Sequence, residues 1–258
     1  MKITFLGTCS GTEPMRGAHH CSLVFEVNGL YYWFDAGENC SHSAYTSGID
    51  VTRVRAVFIS HMHIDHIGGL ANLIFTIGKI TKMHKIPHIN DNSYDIFLPD
   101  SEKFKAIKCL VPEDFDPLRS KRVRIEEHTV SDGLIFSDEN IKVTALHNRH
   151  LKEDGTSGWH SYSYLIEAEG KRVIFSGDVA SPEDLDPFLD KECDLLIMET
   201  GHHSVSSVCE YAVSHRVKKL RFNHHGREIL GDREAAKALV ASYDIDAVIC
   251  EDGRTEIL

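Results

Sequence analysis

The sequence predicts an α/β fold, an αββα sandwich of two mixed β-sheets flanked by helices, built by one domain over residues 1–258. Two observations support this fold class. Short β-rich segments alternate with helical segments along the chain, and the alternation forms two halves of similar size. No low-complexity segment or Pro/Gly-rich linker separates the halves, although a length of 258 residues would also allow two small domains.

The first half opens with short strands and continues with strand–helix alternation. Asn28-Gly29 lies between two β-rich runs and is typical of a two-residue hairpin turn. The segment VRAVFIS has the composition of a buried strand, and the apolar spacing that follows it indicates a helix. We predict strands at residues 2–6, 22–27, 31–34, 54–60 and 94–98, and helices at 69–80 and from Ser101, which would be the N-cap.

The second half repeats the alternation. The segment DLLIME is typical of a buried strand, and Glu169-Gly170 is placed to turn a pair of strands. We predict strands at residues 141–146, 162–167, 172–176, 194–199, 219–223 and 245–250, and helices at 182–189, 204–214 and 233–243.

The overall charge restricts the classes of partner. Lys and Arg number 28 against 39 Asp and Glu, which gives a net charge of −11. Long nucleic acids and anionic membranes need a basic face, so an acidic chain argues against both as partners. A phosphate-bearing small molecule stays compatible with the charge, because a bound metal can supply the local positive field.

Cysteine usage and the absence of long apolar runs indicate a cytoplasmic protein. The seven cysteines are scattered without a C-x-x-C motif, so neither a disulfide framework nor a zinc ribbon is expected. No apolar run approaches the roughly 20 residues of a membrane-spanning helix. The N-terminus begins directly with a strand-like run, so we expect no secretion signal.

Histidine is the unusual residue, with 17 in the chain, and several of them cluster after a predicted strand. The segment SHMHIDH places three imidazoles and a carboxylate within six residues. His61 and His63 are two residues apart in an extended loop, so both side chains can bind one metal ion. Asp65 and His66 lie where the chain enters the next helix and can face a second metal ion. These donors suit Zn²⁺, and also Mn²⁺ or Fe²⁺; the alternative is a solvated histidine-rich loop.

The H-x-H-x-D-H pattern after a strand resembles the signature of the metallo-β-lactamase superfamily. The segments MKITFLGTCSGTEP at the N-terminus and FDAGEN at 34–39 resemble, more narrowly, the RNase Z branch. The resemblance covers essentially the whole chain. It implies the αββα sandwich, a site for two divalent metal ions at one edge, and hydrolysis of phosphodiesters. Dimers are common in this family, so a homodimer is a further expectation.

The resemblance also implies a ligand set of seven side chains. His150 matches the position of the next ligand, with His147 as the alternative, and Asp178 in SGD matches the aspartate that bridges the metals. His224 in FNHHG matches the last ligand. The metal ligands implied are His61, His63, Asp65, His66, His150, Asp178 and His224.

Three residues are implied to act in catalysis. Asp65 would orient the attacking water. His202 in ETGHHS resembles the RNase Z histidine that assists the leaving group, and its spacing of 22 residues from His224 favours it over His203. Glu199 would hold the His202 imidazole in its charged form. A solvent-facing helix cap is the alternative for this motif.

The sequence departs from RNase Z at one place. Bacterial and plant RNase Z proteins carry a tRNA-gripping arm between the third metal motif and the bridging aspartate, and here 28 residues separate His150 from Asp178, which leaves no room for it. We therefore expect a small or short phosphodiester substrate, such as a cyclic nucleotide, a cyclic phosphate or a short oligonucleotide. Alternatives are a thioesterase or lactonase, an RNase Z-type endoribonuclease, and a non-enzymatic metal-binding module.

Overall fold

A computed structural model describes residues 1–11, 16–84, 92–111, 123–151 and 158–258. The chain divides into two compact units. The first comprises Met1–Gly7, His19–Val130 and Asp252–Ile257, and the second comprises Thr8–Ala18, Ser131–Glu251 and Leu258. The single domain over residues 1–258 stays a prediction, and residues 12–14 of the opening motif lie outside the described residues.

The predicted strands and helices occur in the predicted order, with further strands and helices between them. The strands are β1 (Lys2–Gly7), β2 (Ser22–Val27), β3 (Leu30–Ala36), β4 (Val54–Phe58), β5 (Ser93–Leu98), β6 (Arg124–Thr129), β7 (Gly133–Ser137), β8 (Ile141–His147), β9 (Tyr162–Ala168), β10 (Lys171–Phe175), β11 (Leu195–Glu199), β12 (Lys219–Asn223), β13 (Asp246–Ile249) and β14 (Thr255–Ile257). The helices are α1 (Cys40–Thr46), α2 (Ile64–Ile67), α3 (Leu70–His84), α4 (Ser101–Lys108), α5 (Val205–Ser214), α6 (Arg227–Gly231) and α7 (Arg233–Val240), with 3₁₀ turns at Val51–Arg53 and Pro182–Phe188.

The first unit contains a mixed seven-stranded sheet of order β14-β1-β2-β3-β4-β5-β6. Neighbours from β14 to β3 are antiparallel, and those from β3 to β6 are parallel. Asn28 and Gly29 close the β2–β3 hairpin with φ of 50° and 72°, the left-handed pair that a type I′ turn requires.

The second unit contains a sheet of the same kind, of order β13-β12-β11-β10-β9-β8-β7. Neighbours from β7 to β10 are antiparallel, and those from β10 to β13 are parallel. Glu169 and Gly170 turn β9 into β10, with φ of 51° and 73°. The predicted α/β class with two mixed sheets and flanking helices is confirmed.

Each sheet has its own core against its helices. In the first unit, α3 places apolar residues three and four apart, such as Leu70, Leu73 and Ile77, in one buried cluster with Trp33 and Ile96 of the sheet. In the second unit, the buried face of α5 lies in one cluster with β10, β11 and β12. Strand ends are thereby fixed in position, so the loops that follow them have rigid supports.

The structure corrects several local predictions. Asp100, not Ser101, is the N-cap of α4, because its extended backbone lets the side chain accept from the Lys103 N–H at 3.0 Å. The predicted helix at 182–189 is a 3₁₀ turn with Pro187 inside it, since proline cannot donate the α-helical hydrogen bond. β6, β7, β14, α1, α2 and α6 were not predicted. Within the described residues, no helix is long and apolar enough to span a membrane.

Candidate metal centre

Four predicted site residues of the first unit lie together in the loop after β4 and in α2. The ring centroids of His61 and His63 are 4.5 Å apart, and those of His61 and His66 are 4.1 Å apart. An Asp65 carboxylate oxygen lies 3.6 Å from His66 Nε2. His61, Asp65 and His66 are buried and His63 is exposed, so the loop is a packed structure and not a solvated histidine-rich segment.

A buried carboxylate at the end of β3, Asp35, holds this loop. Its Oδ2 lies 2.7 Å from His66 Nδ1 and accepts from Ser60 Oγ at 2.8 Å, while its Oδ1 accepts from the Ser60 N–H at 2.7 Å. Bonding at Nδ1 fixes the His66 ring so that Nε2 is the nitrogen placed to ligate a metal. Asp35 has φ of 55°, a left-handed conformation that aspartate tolerates better than most residues. The sequence offered FDAGEN as a resemblance but no role for Asp35.

Two glycines allow the close approach of these segments. A Cβ on Gly37 would lie 2.6 Å from the carbonyl oxygen of Asp65, and one on Gly69 would lie 2.2 Å from the carbonyl oxygen of Gly37. Any other residue at either position would push the FDAGEN turn away from α2 and α3.

A second cluster forms in the second unit from residues that follow three parallel strands. Asp178 follows β10, Glu199 ends β11, His202 lies in the next loop and His224 follows β12. Their potential ligand atoms all lie within 4.8 Å of one another. Asp178 Oδ1 is 3.4 Å from His224 Nδ1, and Asp178 Oδ2 is 3.8 Å from His202 Nδ1.

His150 joins the second cluster, and His147 does not. His150 Nε2 lies 3.8 Å from Asp178 Oδ2, and its ring is 4.9 Å from that of His202. His147 instead stacks on Trp159 with centroids 4.1 Å apart, and its Nδ1 lies 2.6 Å from a carboxylate oxygen of Asp132. The geometry therefore favours His150 as the ligand candidate.

Glu199 sits at the centre of the hydrogen bonds around His202. Its side chain is 1% exposed, and both carboxylate oxygens lie 3.0 Å from His202 Nδ1. Burial alone would raise the pKa of Glu199, but its hydrogen bonds with His202 and His224 outweigh burial and bring that pKa well below its usual value. The same hydrogen bond with Glu199 raises the pKa of His202 above 6.5 against the opposing effect of burial. The pair therefore favours a charged imidazole.

His203 points to a different partner. Its Nε2 donates to the carbonyl oxygen of Val179 at 3.0 Å, while the Val179 N–H donates to Glu199 Oε1 at 3.1 Å. His203 and Glu199 together fix the backbone next to Asp178. This arrangement fits a structural role for His203 and a chemical one for His202.

A buried relay of polar side chains links the strand ends of the second unit, and sequence reasoning missed it. Asn148 Nδ2 donates to Ser163 Oγ at 3.1 Å, and Ser163 Oγ donates to the Ser176 carbonyl at 2.6 Å. The Glu199 N–H donates to Ser176 Oγ at 3.2 Å. Asn148 Oδ1 also accepts from the His150 N–H at 3.1 Å, so the relay connects the His150, Asp178 and Glu199 positions.

His224 adopts a conformation that histidine rarely takes. Its φ is 47°, a left-handed backbone that costs about 1–3 kcal/mol and persists where the surroundings determine it. Its ring lies against Gly201, where an added Cβ would be 2.6 Å from Nδ1. Gly201 thus leaves the space that the strained His224 side chain occupies.

The donor sets fit divalent metal ions. Each cluster combines imidazole nitrogens with carboxylate oxygens, the set that Zn²⁺, Mn²⁺ and Fe²⁺ accept. In the first unit, the carboxylate of Asp35 fixes the His66 ring, as carboxylates commonly fix the rings of metal-binding histidines.

Comparison with known sequences identifies the family. Residues 1–230 match the family model described as anti-Pycsar protein Apyc1. Ribonuclease Z of Prochlorococcus marinus strain MIT 9515 is 29% identical over 189 residues, which cover 72% of this chain and 54% of that protein. Ribonuclease Z of Cyanothece sp. strain PCC 7425 is 31% identical over 153 residues, covering 58% and 44%. The chain spans about half the length of these curated relatives.

Solved structures show the same fold over nearly the whole chain. The metallo-β-lactamase fold protein YhfI from Bacillus subtilis has a TM-score of 0.73 at 18% identity, covering 99% of this chain and 98% of that one. The short form of human tRNase Z has a TM-score of 0.72 at 20% identity, covering 100% and 99%. Unliganded yeast PDE1 has a TM-score of 0.67 at 14% identity, covering 100% and 99%.

A further solved structure with this fold, that of PqqB from Methylobacterium extorquens, was determined with bound Zn²⁺. It has a TM-score of 0.69 at 13% identity, and the match covers 100% of this chain and 100% of that one. The predicted resemblance to the RNase Z-like branch of the metallo-β-lactamase superfamily is confirmed. Because the family model matches most of its length, the chain belongs to the family described as anti-Pycsar protein Apyc1, with the metallo-β-lactamase fold.

Proposed function

We propose that this chain is a metal-dependent phosphodiesterase that hydrolyses a small or short phosphodiester: a cyclic nucleotide, a cyclic phosphate or a short oligonucleotide. Its cofactor is two divalent metal ions, Zn²⁺ before Mn²⁺ or Fe²⁺. The ligands are His61, His63, Asp65, His66, His150, Asp178 and His224.

The observation that carries the proposal is the Glu199–His202 pair. Both carboxylate oxygens of Glu199 lie 3.0 Å from His202 Nδ1, and the imidazole lies beside two predicted ligands, Asp178 and His224. A proton donor at this place serves a leaving alkoxide, which a phosphodiester produces and which needs protonation as it departs. The ribonuclease Z relatives and the PDE1 neighbour support the same bond class.

Bound divalent ions would supply an activated water near neutral pH and neutralise charge on the phosphate. Asp65 orients the attacking water. Glu199 keeps the Nδ1–H of His202 in its own hydrogen bond, so that Nε2–H is the proton given to the departing oxygen. Without Glu199 the imidazole would be neutral over a wider range of pH and free to rotate.

The compact β9–β10 hairpin supports a small substrate. β9 and β10 take up Tyr162–Ala168 and Lys171–Phe175 of the interval between His150 and Asp178, and only Glu169 and Gly170 join them. A tRNA-gripping arm has no place in that hairpin. The net charge of −11 also argues against a long polyanion as substrate.

The alternatives differ in the bond cleaved. A thioesterase or lactonase would use the same donors but has less need of a protonated His202. An RNase Z-type endoribonuclease would need a tRNA-binding surface, and a non-enzymatic module would bind metal without turnover. Assays with bis-p-nitrophenyl phosphate, cyclic nucleotides, precursor tRNA, thioesters and lactones separate these classes.

The decisive test compares His63→Ala with His202→Ala. We expect His63→Ala to lose turnover and metal content together, because it removes a ligand. We expect His202→Ala to lower turnover by about 10²–10⁴-fold and to retain its metal, because it removes a general acid. His215→Ala, at the end of α5 and bonded to Tyr211, is the matched histidine control.

Equal metal loss in His63→Ala and His202→Ala, measured by elemental analysis of the assayed preparation, would overturn the role proposed for His202. Absence of hydrolysis by fully metallated protein on every substrate would favour the non-enzymatic module. We further propose that the protein is cytoplasmic and forms a homodimer; fractionation and sedimentation measurements test these two points.

A further inference from the structure

A carboxylate outside the predicted site, Asp184, links two of its loops. It lies in the 3₁₀ turn Pro182–Phe188, and its side chain is only 4% exposed. Its Oδ2 accepts the Ala180 N–H at 3.1 Å and the Arg149 N–H at 3.2 Å. Its Oδ1 accepts Nε of the Arg149 guanidinium.

The two backbone donors belong to segments that carry predicted ligands. Arg149 directly precedes His150 in the loop after β8, and Ala180 lies two residues after Asp178 in the loop after β10. β8 and β10 are not neighbours, because β9 lies between them. At the usual strand spacing the two strands are about 10 Å apart, so no ladder hydrogen bond joins them. Asp184 makes that connection beyond the strand ends.

We propose that Asp184 is a positioning residue that fixes His150 relative to Asp178, and thereby sets the metal affinity of the site. The inference rests on the proposed function for its metal ligands. His150 Nε2 and Asp178 Oδ2 lie 3.8 Å apart, a separation that one shared cation would bridge. A carboxylate suits this task because its Oδ2 accepts both backbone N–H groups while its Oδ1 accepts the guanidinium.

A second anchor limits the effect to a partial loss. The His150 N–H also donates to Asn148 Oδ1, so the loop keeps one attachment when Asp184 is changed. The expected change is therefore that of an outer-shell residue and not of a ligand.

The chain offers a matched control on the same 3₁₀ turn. Asp186 accepts from Tyr211 Oη at 2.8 Å and lies 3.5 Å from His215 Nε2. Neither partner belongs to a segment that carries a predicted ligand. Asp186→Ala therefore removes comparable carboxylate contacts whose loss affects stability but not the site.

The experiment measures Zn²⁺ affinity by chelator competition, with the thermal midpoint of the metal-free protein recorded in parallel. We expect Asp184→Ala, which removes both carboxylate oxygens, to weaken Zn²⁺ binding by about 10–100-fold. We expect Asp186→Ala to lower the thermal midpoint of the metal-free protein while its affinity stays within about twofold of wild type. Affinity of Asp184→Ala within that same range, or an equal loss in Asp186→Ala, would overturn the inference.

Arg149→Met separates the two kinds of contact. It removes the guanidinium and keeps the backbone N–H that Asp184 accepts, so its Zn²⁺ affinity should stay closer to wild type than that of Asp184→Ala. A loss as large as that of Asp184→Ala would assign the effect to the guanidinium and overturn the role of the backbone contacts.

Hydrogen exchange in the metal-free protein gives a readout that is independent of metal. Faster exchange of the Arg149 and Ala180 amides in Asp184→Ala is expected, and unchanged exchange would contradict the proposed backbone contacts. Failure of the proposed function is distinguishable, since it would appear as wild-type protein that binds no metal or hydrolyses no phosphodiester.

Discussion

The two clusters of predicted ligands are built in contrasting ways on sheets of matching topology. In the first unit, four candidates lie within the six residues 61–66 after β4, and Asp35 holds their loop through Ser60 and His66. In the second unit, His150, Asp178 and His224 each follow a different strand. There the Asn148–Ser163–Ser176–Glu199 relay and Asp184 hold the loops.

The difference shows how a site can depend on local or on distributed order. A contiguous motif needs one support, and losing that support affects every ligand in it. A cluster drawn from several strands needs a support for each loop, so the loss of one support affects only part of the cluster. The two clusters should therefore fail differently under mutation, and the following predictions test that contrast.

The largest effect is expected at Asp35. Asp35→Ala removes the acceptor of buried His66 and of both Ser60 donors, and a buried donor left without its acceptor typically costs about 1–3 kcal/mol of unfolding free energy for each group. Urea denaturation of the metal-free variant measures this. A cost below about 1 kcal/mol would show that Asp35 is not the main support of the loop.

A smaller effect is expected at Asn148. Asn148→Ala leaves the His150 N–H and Ser161 Oγ without this acceptor, at a cost of about 1–3 kcal/mol, because the rest of the relay remains. The same denaturation experiment applies. If Asn148→Ala costs as much as Asp35→Ala, the proposed contrast between the clusters is wrong.

The Glu199–His202 pair should give the second unit a pH dependence in the metal-free protein. The pKa of His202 is raised above 6.5 by Glu199, so its contribution to stability is complete below about pH 6.5 and is lost as the pH rises through the folded value. The pKa of Glu199 is lowered, so its contribution is present above its ordinary value and is lost as the pH falls.

Thermal midpoints of the metal-free protein between pH 6 and 9 test the alkaline side. His202→Ala should flatten the decline that the wild type shows with rising pH, and His215→Ala should leave it in place. An unchanged slope in His202→Ala would mean that the pair does not contribute in the folded protein.

The smallest effect concerns the reactivity of the cysteine thiols, because labelling an exposed thiol does not disturb the fold. Cys109 is exposed and lies in the first unit, whereas the other six cysteines are buried. Burial raises the pKa of Cys40 and of Cys193 to about 12, which suppresses their thiolates. We expect one fast-reacting thiol per native chain, mapped to Cys109 by mass spectrometry. Rapid labelling of Cys193 or Cys209 would indicate that the second unit opens.

The first cluster could be predicted from sequence because its ligands are contiguous. The SHMHIDH segment carries its own geometry, and strand alternation placed it after β4. The second cluster required the family resemblance, since nothing local in SGD or FNHHG marks Asp178 or His224 as ligands. His147 ends β8 and His150 lies three residues later; tertiary contacts distinguish them, because His147 packs on Trp159 and bonds to Asp132 whereas His150 lies beside Asp178.

The supports could not be predicted, because they exist only as tertiary contacts. Asp35, Asn148 and Asp184 read as ordinary polar residues in a turn, a strand end and a short helix. β6 was missed because four of its six residues are titratable: Arg124, Glu126, Glu127 and His128. They hide the alternation of apolar and polar residues that is expected of a strand. The three supports and β6 all depend on neighbours that are distant in sequence.

The turn at Glu169 and Gly170 has a consequence for how this fold diversifies. Both residues are exposed at the tip of the β9–β10 hairpin, where loop tips tolerate insertions. An insertion at that tip would leave the pairing register of β9 and β10 unchanged, and the backbone leading to Asp178 would stay in place. An appendage for grasping a larger substrate can therefore be gained or discarded here as a module, without rebuilding the chemistry below it.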